Sequence, residues 1–128
     1  MRILIVDDDK ISRELLFSVS SGYGKCDLAI DGIEAIEAFG FAYEEGMPYD
    51  VMLLDIMMPL FEGNKVLKKI RAFEGKNKIA KDKKVKAVIV SALYNPKLVE
   101  ELSTYEIYEY IRKPVDLDLL KKVFNSLI

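Results

Sequence analysis

The sequence predicts an α/β domain built on a parallel sheet with helices on both faces. Three observations carry this reading. Short aliphatic runs alternate along the chain with longer stretches of helical periodicity. The clearest runs, Ile3-Leu4-Ile5-Val6, Val51-Met52-Leu53-Leu54 and Ala87-Val88-Ile89-Val90, are apolar at every position, as strands buried on both faces are. The chain has 128 residues, enough for one domain with its own core and too few for two ordinary ones.

Taken in order, Ile3 to Val6 forms the first strand. Ile11, Leu15, Leu16 and Val19 recur at helical spacing, and Ser20-Ser21-Gly22-Tyr23-Gly24 ends that helix. Lys25 to Ile30 makes a second strand. Asp31-Gly32 opens a helix through Ile33, Ala35, Ile36 and Phe39 that ends near Gly46. Val51 to Leu54 is the third strand, and Asn64 to Phe73 a helix with Val66, Leu67 and Ile70 on one face. Ala87 to Val90 is the fourth strand. Pro96 suits the first turn of a helix ending near Thr104. Ile107 to Arg112 is the fifth strand, and Asp116 caps a last helix reaching Leu127. Strands joined through helices of this length imply right-handed crossovers.

Composition excludes several classes of function. An apolar fraction of 51% with 31% charged residues does not describe a disordered or collagen-like chain. The single Cys26 has no partner for an internal disulfide, which favours a reducing compartment. A net charge of -2 argues against a protein that coats nucleic acid. The absence of histidine removes Ser/His/Asp and Cys/His catalysis, histidine-ligated metals and any internal phosphohistidine. The apolar run after Met1-Arg2 is too short for a signal-peptide core, and Asp55 and Pro59 interrupt the stretch from Val51 to Leu60. A cytoplasmic protein is expected. Residues 75–86 hold six lysines and read as a solvated, mobile loop; no aromatic residue interleaves them to suggest nucleic-acid stacking.

The residues that end each buried run point to chemistry. Asp7-Asp8-Asp9 comes directly after the first strand, Asp55 after the third, Ser91 after the fourth and Lys113-Pro114 after the fifth. In a parallel sheet these residues share the carboxyl edge, where open α/β sheets bind ligands. Asp8 or Asp9 also suits the cap of the next helix. Asp55 has no helix to cap, and an idle charge beside a core strand is costly. Clustered carboxylates need a counter-charge, and an all-oxygen set suits Mg2+. With Lys113 and a hydroxyl such as Ser91, the cluster would receive a phosphoryl group, and a carboxylate there can be the nucleophile.

These residues resemble a known family. Val6-Asp7-Asp8, Leu54-Asp55-Ile56-Met57-Met58-Pro59, Val90-Ser91-Ala92 and Arg112-Lys113-Pro114 look like the motifs of a two-component response-regulator receiver domain, in order and across the whole chain. The resemblance implies a (βα)5 flavodoxin-like three-layer sandwich with strand order 2-1-3-4-5, and a single receiver over residues 1–128 with no output domain. It implies that Asp55 accepts a phosphoryl group from a histidine kinase or histidine phosphotransfer protein. Asp8, Asp55 and the Met57 carbonyl would ligate Mg2+, and Asp7 would hold it mainly through water. Lys113 would pair with Asp55 or its phosphate. Ser91 would bond the phosphate and let Tyr110 swing inward, and the Lys113-Pro114 bond is commonly cis in the family. The readout surface would be the fourth helix, fifth strand and fifth helix, where Tyr94, Tyr105, Tyr108 and Tyr110 concentrate four of the chain's seven tyrosines. It would bind a downstream protein or a second copy, and neither nucleic acid nor membrane.

Three departures stand out. Glu62-Gly63 replaces the commoner Asp-Gly. The connection from Asp55 to Ser91 is lengthened by the lysine-rich segment. Met57 and Leu93 put apolar side chains beside the path of attacking water, from which slow loss of phosphate is expected. The chain is not expected to be an enzyme beyond this self-modification. The alternatives are a receiver-like module that is never phosphorylated and an aspartate-nucleophile phosphatase; the latter fits poorly because Lys10-Ile11 comes after the acids and no cap insertion is present.

Overall fold

The computed structural model describes residues 1–57 and 63–128. Met58, Pro59 and Glu62, which belong to the motifs read in the sequence, lie outside the described residues. The elements are β1 (Arg2–Val6), α1 (Lys10–Ser20), β2 (Lys25–Ala29), α2 (Gly32–Glu44), β3 (Val51–Leu54), α3 (Gly63–Lys76), β4 (Lys86–Ser91), α4 (Pro96–Ser103), β5 (Ile107–Arg112) and α5 (Leu117–Ser126). The five strands are parallel, in the order β2-β1-β3-β4-β5.

Alternation along the strands divides the core in two. Leu4, Val6, Met52, Leu54, Ala87 and Ile89 face α2, α3 and α4, whose Ala35, Phe39, Val66, Leu67, Ile70 and Leu102 cover them. Ile3, Ile5, Val51, Leu53, Val88, Val90 and Ile111 face α1 and α5 through Leu16, Leu120, Val123 and Phe124. The sheet is thus filled on both sides, which is why the runs over residues 3–6, 51–54 and 87–90 of its central strands carry no polar residue.

Side-chain caps set most helix starts, as expected from the sequence. Asp9 accepts from Ser12 N–H, Asp31 from Glu34 N–H, Asn95 from Leu98 N–H, and Asp116 from the N–H groups of Asp118 and Leu119. Asp9, not Asp8, therefore caps α1, and Asp8 is left free for the site.

Three expectations need correction. β2 stops at Ala29, one residue before Ile30, because Asp31 begins the next cap. α3 runs three residues past Phe73, to Lys76. The lysine-rich segment is anchored rather than loose. Its first residues complete α3, and Lys81–Lys83 forms a 3-10 turn. The Glu74 carboxylate, fully buried, accepts from Val85 N–H at 2.8 Å and from the Arg71 guanidinium at 2.7 Å. Arg71 donates further to the carbonyls of Val85, Tyr105 and Glu106. One buried ion pair thus ties the end of α3 to the entry of β4 and to the turn before β5.

Candidate functional site

Strand register builds the site. Val6 pairs with Leu54, and Leu54 with Ile89, so Asp7 and Asp55 leave the sheet side by side at its carboxyl edge. Ser91 pairs with Arg112, which sets Lys113 one step beyond it. Two backbone bonds hold the edge: Asp55 N–H donates to Val6 O at 3.0 Å, and Lys113 N–H to Ser91 O at 2.9 Å.

The Lys113 ammonium lies 2.8 Å from Asp7 Oδ2 and 3.0 Å from Asp55 Oδ2. Both carboxylates are nearly inaccessible to solvent, with side chains 0% and 6% exposed. Their second oxygens accept backbone N–H groups, Asp7 Oδ1 from Asp9 and Asp55 Oδ1 from Met57. Burial pushes the Asp7 carboxyl up despite the Lys113 contact and the Asp9 N–H. Burial also works against the Lys113 ammonium, but the bonds to Asp7 and Asp55 outweigh it and leave its pKa raised.

Asp8 is exposed at the mouth. One carboxylate oxygen from each of Asp7, Asp8 and Asp55 lies within 4.8 Å of the others. Three acids against one ammonium leave negative charge unbalanced. The donor set is oxygen only, without sulfur or imidazole, so the residues fit a small hard cation such as Mg2+. Met57 is half exposed beside them, and its carbonyl is the further ligand that the family pattern would supply.

Ser91 is buried, and its Oγ accepts from Leu93 N–H at 3.2 Å. Tyr110 is half-buried against the α2–α3–α4 core, donates its hydroxyl to Leu93 O, and meets the Tyr94 ring edge-on at 5.4 Å. Burial first, and the Asp55 charge second, push the Tyr110 hydroxyl up. Leu93 thus links the Ser91 hydroxyl to the Tyr110 ring through its own backbone. The Lys113-Pro114 bond is cis, as the motif implies.

All the site residues read from the sequence that can be described converge here. Arg13 was not singled out in the sequence, and Gly63 was noted only as part of Glu62-Gly63. Arg13 donates to Asp7 O at 2.9 Å and steadies the loop after β1. Gly63 packs so tightly that a Cβ would lie 2.5 Å from Ile56 Cα and 2.6 Å from Asp55 O. Its position eight residues after Asp55 was a usable signal, since an isolated glycine opening a helix marks close backbone approach. Of the tyrosines, Tyr105 covers core. Tyr108 stands at a register shift between β4 and β5 and bonds Ser126 of α5 at 2.6 Å, while Tyr94 is exposed under the Arg112 guanidinium.

Comparison with known proteins agrees with this geometry. Residues 3–125 match the family described as "Response regulator receiver domain". The chain is 34% identical over 117 residues to the chemotaxis protein CheY of Treponema pallidum, covering 90% of this chain and 74% of that one. It superposes with a TM-score of 0.81 and 29% identity on a chain of the CheX–CheY–BeF3–Mg2+ complex from Borrelia burgdorferi, covering 100% of this chain and 90% of that one. A Saccharomyces cerevisiae structure pairs the histidine phosphotransfer protein Ypd1 with the receiver domain of its downstream response regulator Ssk1. It matches with a TM-score of 0.81 and 26% identity, over 99% of this chain and 88% of that one. Other curated relatives are longer, and the chain spans 53% of one and 33% of another. Fold, acidic edge and family match together show that the chain belongs to the response-regulator receiver domains of two-component signalling.

Proposed function

We propose that Asp55 accepts a phosphoryl group from the phosphohistidine of a histidine kinase or histidine phosphotransfer protein, and that this switches a protein-binding surface on α4, β5 and α5. The observation that carries the reading is the Lys113 ammonium held between Asp7 and Asp55, with the Asp8 carboxylate within reach. An Asp55 oxygen forms the new bond to phosphorus as the bond from phosphorus to the donor nitrogen breaks. The imidazole leaves with the electron pair and recovers a proton.

Lys113 neutralises part of the charge on the arriving oxygens. Asp8, Asp55 and the Met57 carbonyl would hold Mg2+, with Asp7 beside them. The bound ion supplies positive charge that offsets the acids and the phosphoryl oxygens together. Ser91 exchanges its contact with Leu93 N–H for a bond to a phosphoryl oxygen. That frees the Leu93 segment, and Tyr110 gives up the Leu93 carbonyl and turns inward. Exposed Ile11 and Leu15, one turn apart on α1 beyond the Asp9 cap, offer apolar area to the donor protein. On this reading the domain is a cytoplasmic signalling switch, not an enzyme for external substrates. Among the described residues no helix is long and apolar enough to cross a membrane.

The test is incubation with acetyl phosphate and Mg2+, then intact-mass measurement. A single gain of about 80 Da, lost in Asp55→Asn, is expected from covalent uptake at one carboxylate. The same gain in Asp55→Asn overturns the assignment. Sedimentation with and without beryllofluoride tells a second copy from a different downstream protein as the partner of the switched surface.

A further inference from the structure

The lysine-rich segment takes no part in the acidic site. It lies at the opposite edge of the sheet, where Lys86 N–H donates to Asp50 O just before β3. Residues 75–86 carry six lysines against one acid, Asp82, a local charge of +5; with a net charge of -2 for the chain, the remainder carries -7. Among the described residues none of the six lysines joins an ion pair.

Under this segment is a cavity of about 330 Å3 between the ends of α2 and α3 and the chain leading into β4. Its floor is Phe39, Tyr49 and Val85, all buried; Tyr43 and Ile79 form the walls, and Lys78 and Lys83 stand on the rim. Glu74, the one acid of its lining, has both oxygens engaged by Arg71 and Val85 N–H. The cavity is preformed: Ile79 N–H donates to Glu74 O at 3.0 Å and Lys83 N–H to Ala80 O at 2.8 Å. Less ordering is then required on binding. Lys78 has φ +53, a left-handed conformation in which glycine ordinarily ends a helix. The chain places an ammonium there instead.

We propose that this cavity docks an acidic segment of a partner protein, which inserts one aromatic or branched aliphatic side chain between Tyr43, Tyr49 and Ile79 while flanking carboxylates pair with Lys78 and Lys83. The volume is at the small end for ligand cavities and suits one anchor side chain. The lysines spread over eleven residues, from Lys76 to Lys86, farther than one small anion neutralises. A long nucleic acid meets repulsion from the negative remainder of the chain.

The probes are fluorescein-labelled peptides with two Glu on each side of a central Phe, Tyr, Trp, Leu, Ile or Val, with central Ala as control. Binding is monitored by polarisation and by amide shifts of 15N-labelled protein. At least one peptide is expected to move the Tyr43, Tyr49, Ile79 and Val85 amides. The central-Ala peptide and the Lys78→Glu/Lys83→Glu variant are each expected to weaken binding by at least about tenfold, as for loss of a buried anchor or its charge partners. Phosphoryl uptake at Asp55 by that variant stays as in the parent, which shows it folded and separates this site from the acidic one. The proposal is overturned if no peptide shifts these amides, if central Ala binds equally well, or if a single-stranded oligonucleotide or anionic vesicles compete fully at equal charge.

Discussion

Lys113→Met removes the ammonium between Asp7 and Asp55 while keeping much of the aliphatic stem. Its two contacts, at 2.8 and 3.0 Å, are with carboxylates almost wholly removed from solvent. Breaking one buried ion pair costs about 3–5 kcal/mol, because the remaining charge has lost its partner. Two acids lose theirs here, but each keeps one backbone N–H, and Asp7, already pushed up by burial, takes a proton more readily. A loss of about 3 kcal/mol near neutral pH is therefore expected in chelator. A divalent cation bound by the same acids should replace much of the missing charge. At about a hundredfold excess over its dissociation constant it stabilises the variant by about 2.7 kcal/mol, and the parent by less because Lys113 repels the cation there. The assay is urea unfolding monitored by circular dichroism, with EDTA or Mg2+, on parent and variant. A loss below about 1 kcal/mol in EDTA, or a loss that Mg2+ leaves unchanged, refutes the view that these charges share one buried site.

Four other outcomes are expected. Arg71→Met should cost about 3–5 kcal/mol by stranding Glu74, Glu74→Gln less, and the double variant less than their sum by about 1–3 kcal/mol; an additive double-mutant cycle in urea would show no coupling. Gly63→Ala should cost about 1–3 kcal/mol and slow uptake from acetyl phosphate, since its Cβ meets backbone rather than a movable side chain. Burial pushes the Asp27 carboxyl up, but the Tyr49 hydroxyl and Arg2 guanidinium outweigh it and leave it below its ordinary 3.8, while burial and Asp27 push Tyr49 above its ordinary 10.0. The Asp27 contribution is present above 3.8 and lost as pH falls through its lower folded value; that of Tyr49 is present below 10.0 and lost as pH rises above it. Tyr49→Phe should therefore remove the alkaline loss and reduce the acid one, as read from urea midpoints across pH. Phosphate loss from the Mg2+-loaded phosphoprotein should take minutes or longer, because the exposed Met57 and Leu93 side chains cannot orient water by hydrogen bonding; a lifetime of seconds contradicts this.

The features legible in the sequence are those carried by runs and register. Four-residue apolar strands tolerate no polar neighbour inside the sheet, so the first polar residue after each run marks the same edge. Asp7, Asp55 and Ser91 could be aligned without coordinates for that reason, whereas Lys113 follows a mixed strand, Ile107–Arg112, and was aligned by its motif. The Arg71–Glu74 pair was harder to see. Three residues apart on a helix, it has the spacing of an ordinary surface pair. The signal was periodicity: Glu74 comes four residues after Ile70 and seven after Leu67, which puts it on the buried face of α3. Ending the helix at Phe73 hid that step and left the lysine-rich segment looking loose. The face of Tyr108 is not legible from alternation, since the register shift between Ala87 and Val88 interrupts it.

The two ends of the sheet handle buried charge in opposite ways. At the amino end, Asp27 Oδ2 accepts from Arg2 Nε and Nη2 and from the Tyr49 hydroxyl, Asp50 accepts from Arg2 N–H, and the Arg2 guanidinium lies over the Tyr49 ring at 4.8 Å. Asp27 has its own counter-charge there, so a cation or phosphoryl group gains little by entering. At the carboxyl end one ammonium bonds both Asp7 and Asp55, Asp8 stands beside them, and burial pushes the Asp7 carboxyl up. Of these two arrangements, the second is the one that leaves acids in excess for the proposed cation and phosphoryl chemistry to offset. The switch belongs at that edge because the rest of the sheet is already satisfied: both faces are filled, the amino end is paired, and the Arg71 clasp fixes the turn before β5. On the proposed function, a change at Asp55 would reach the surface through the Ser91, Leu93 and Tyr110 contacts.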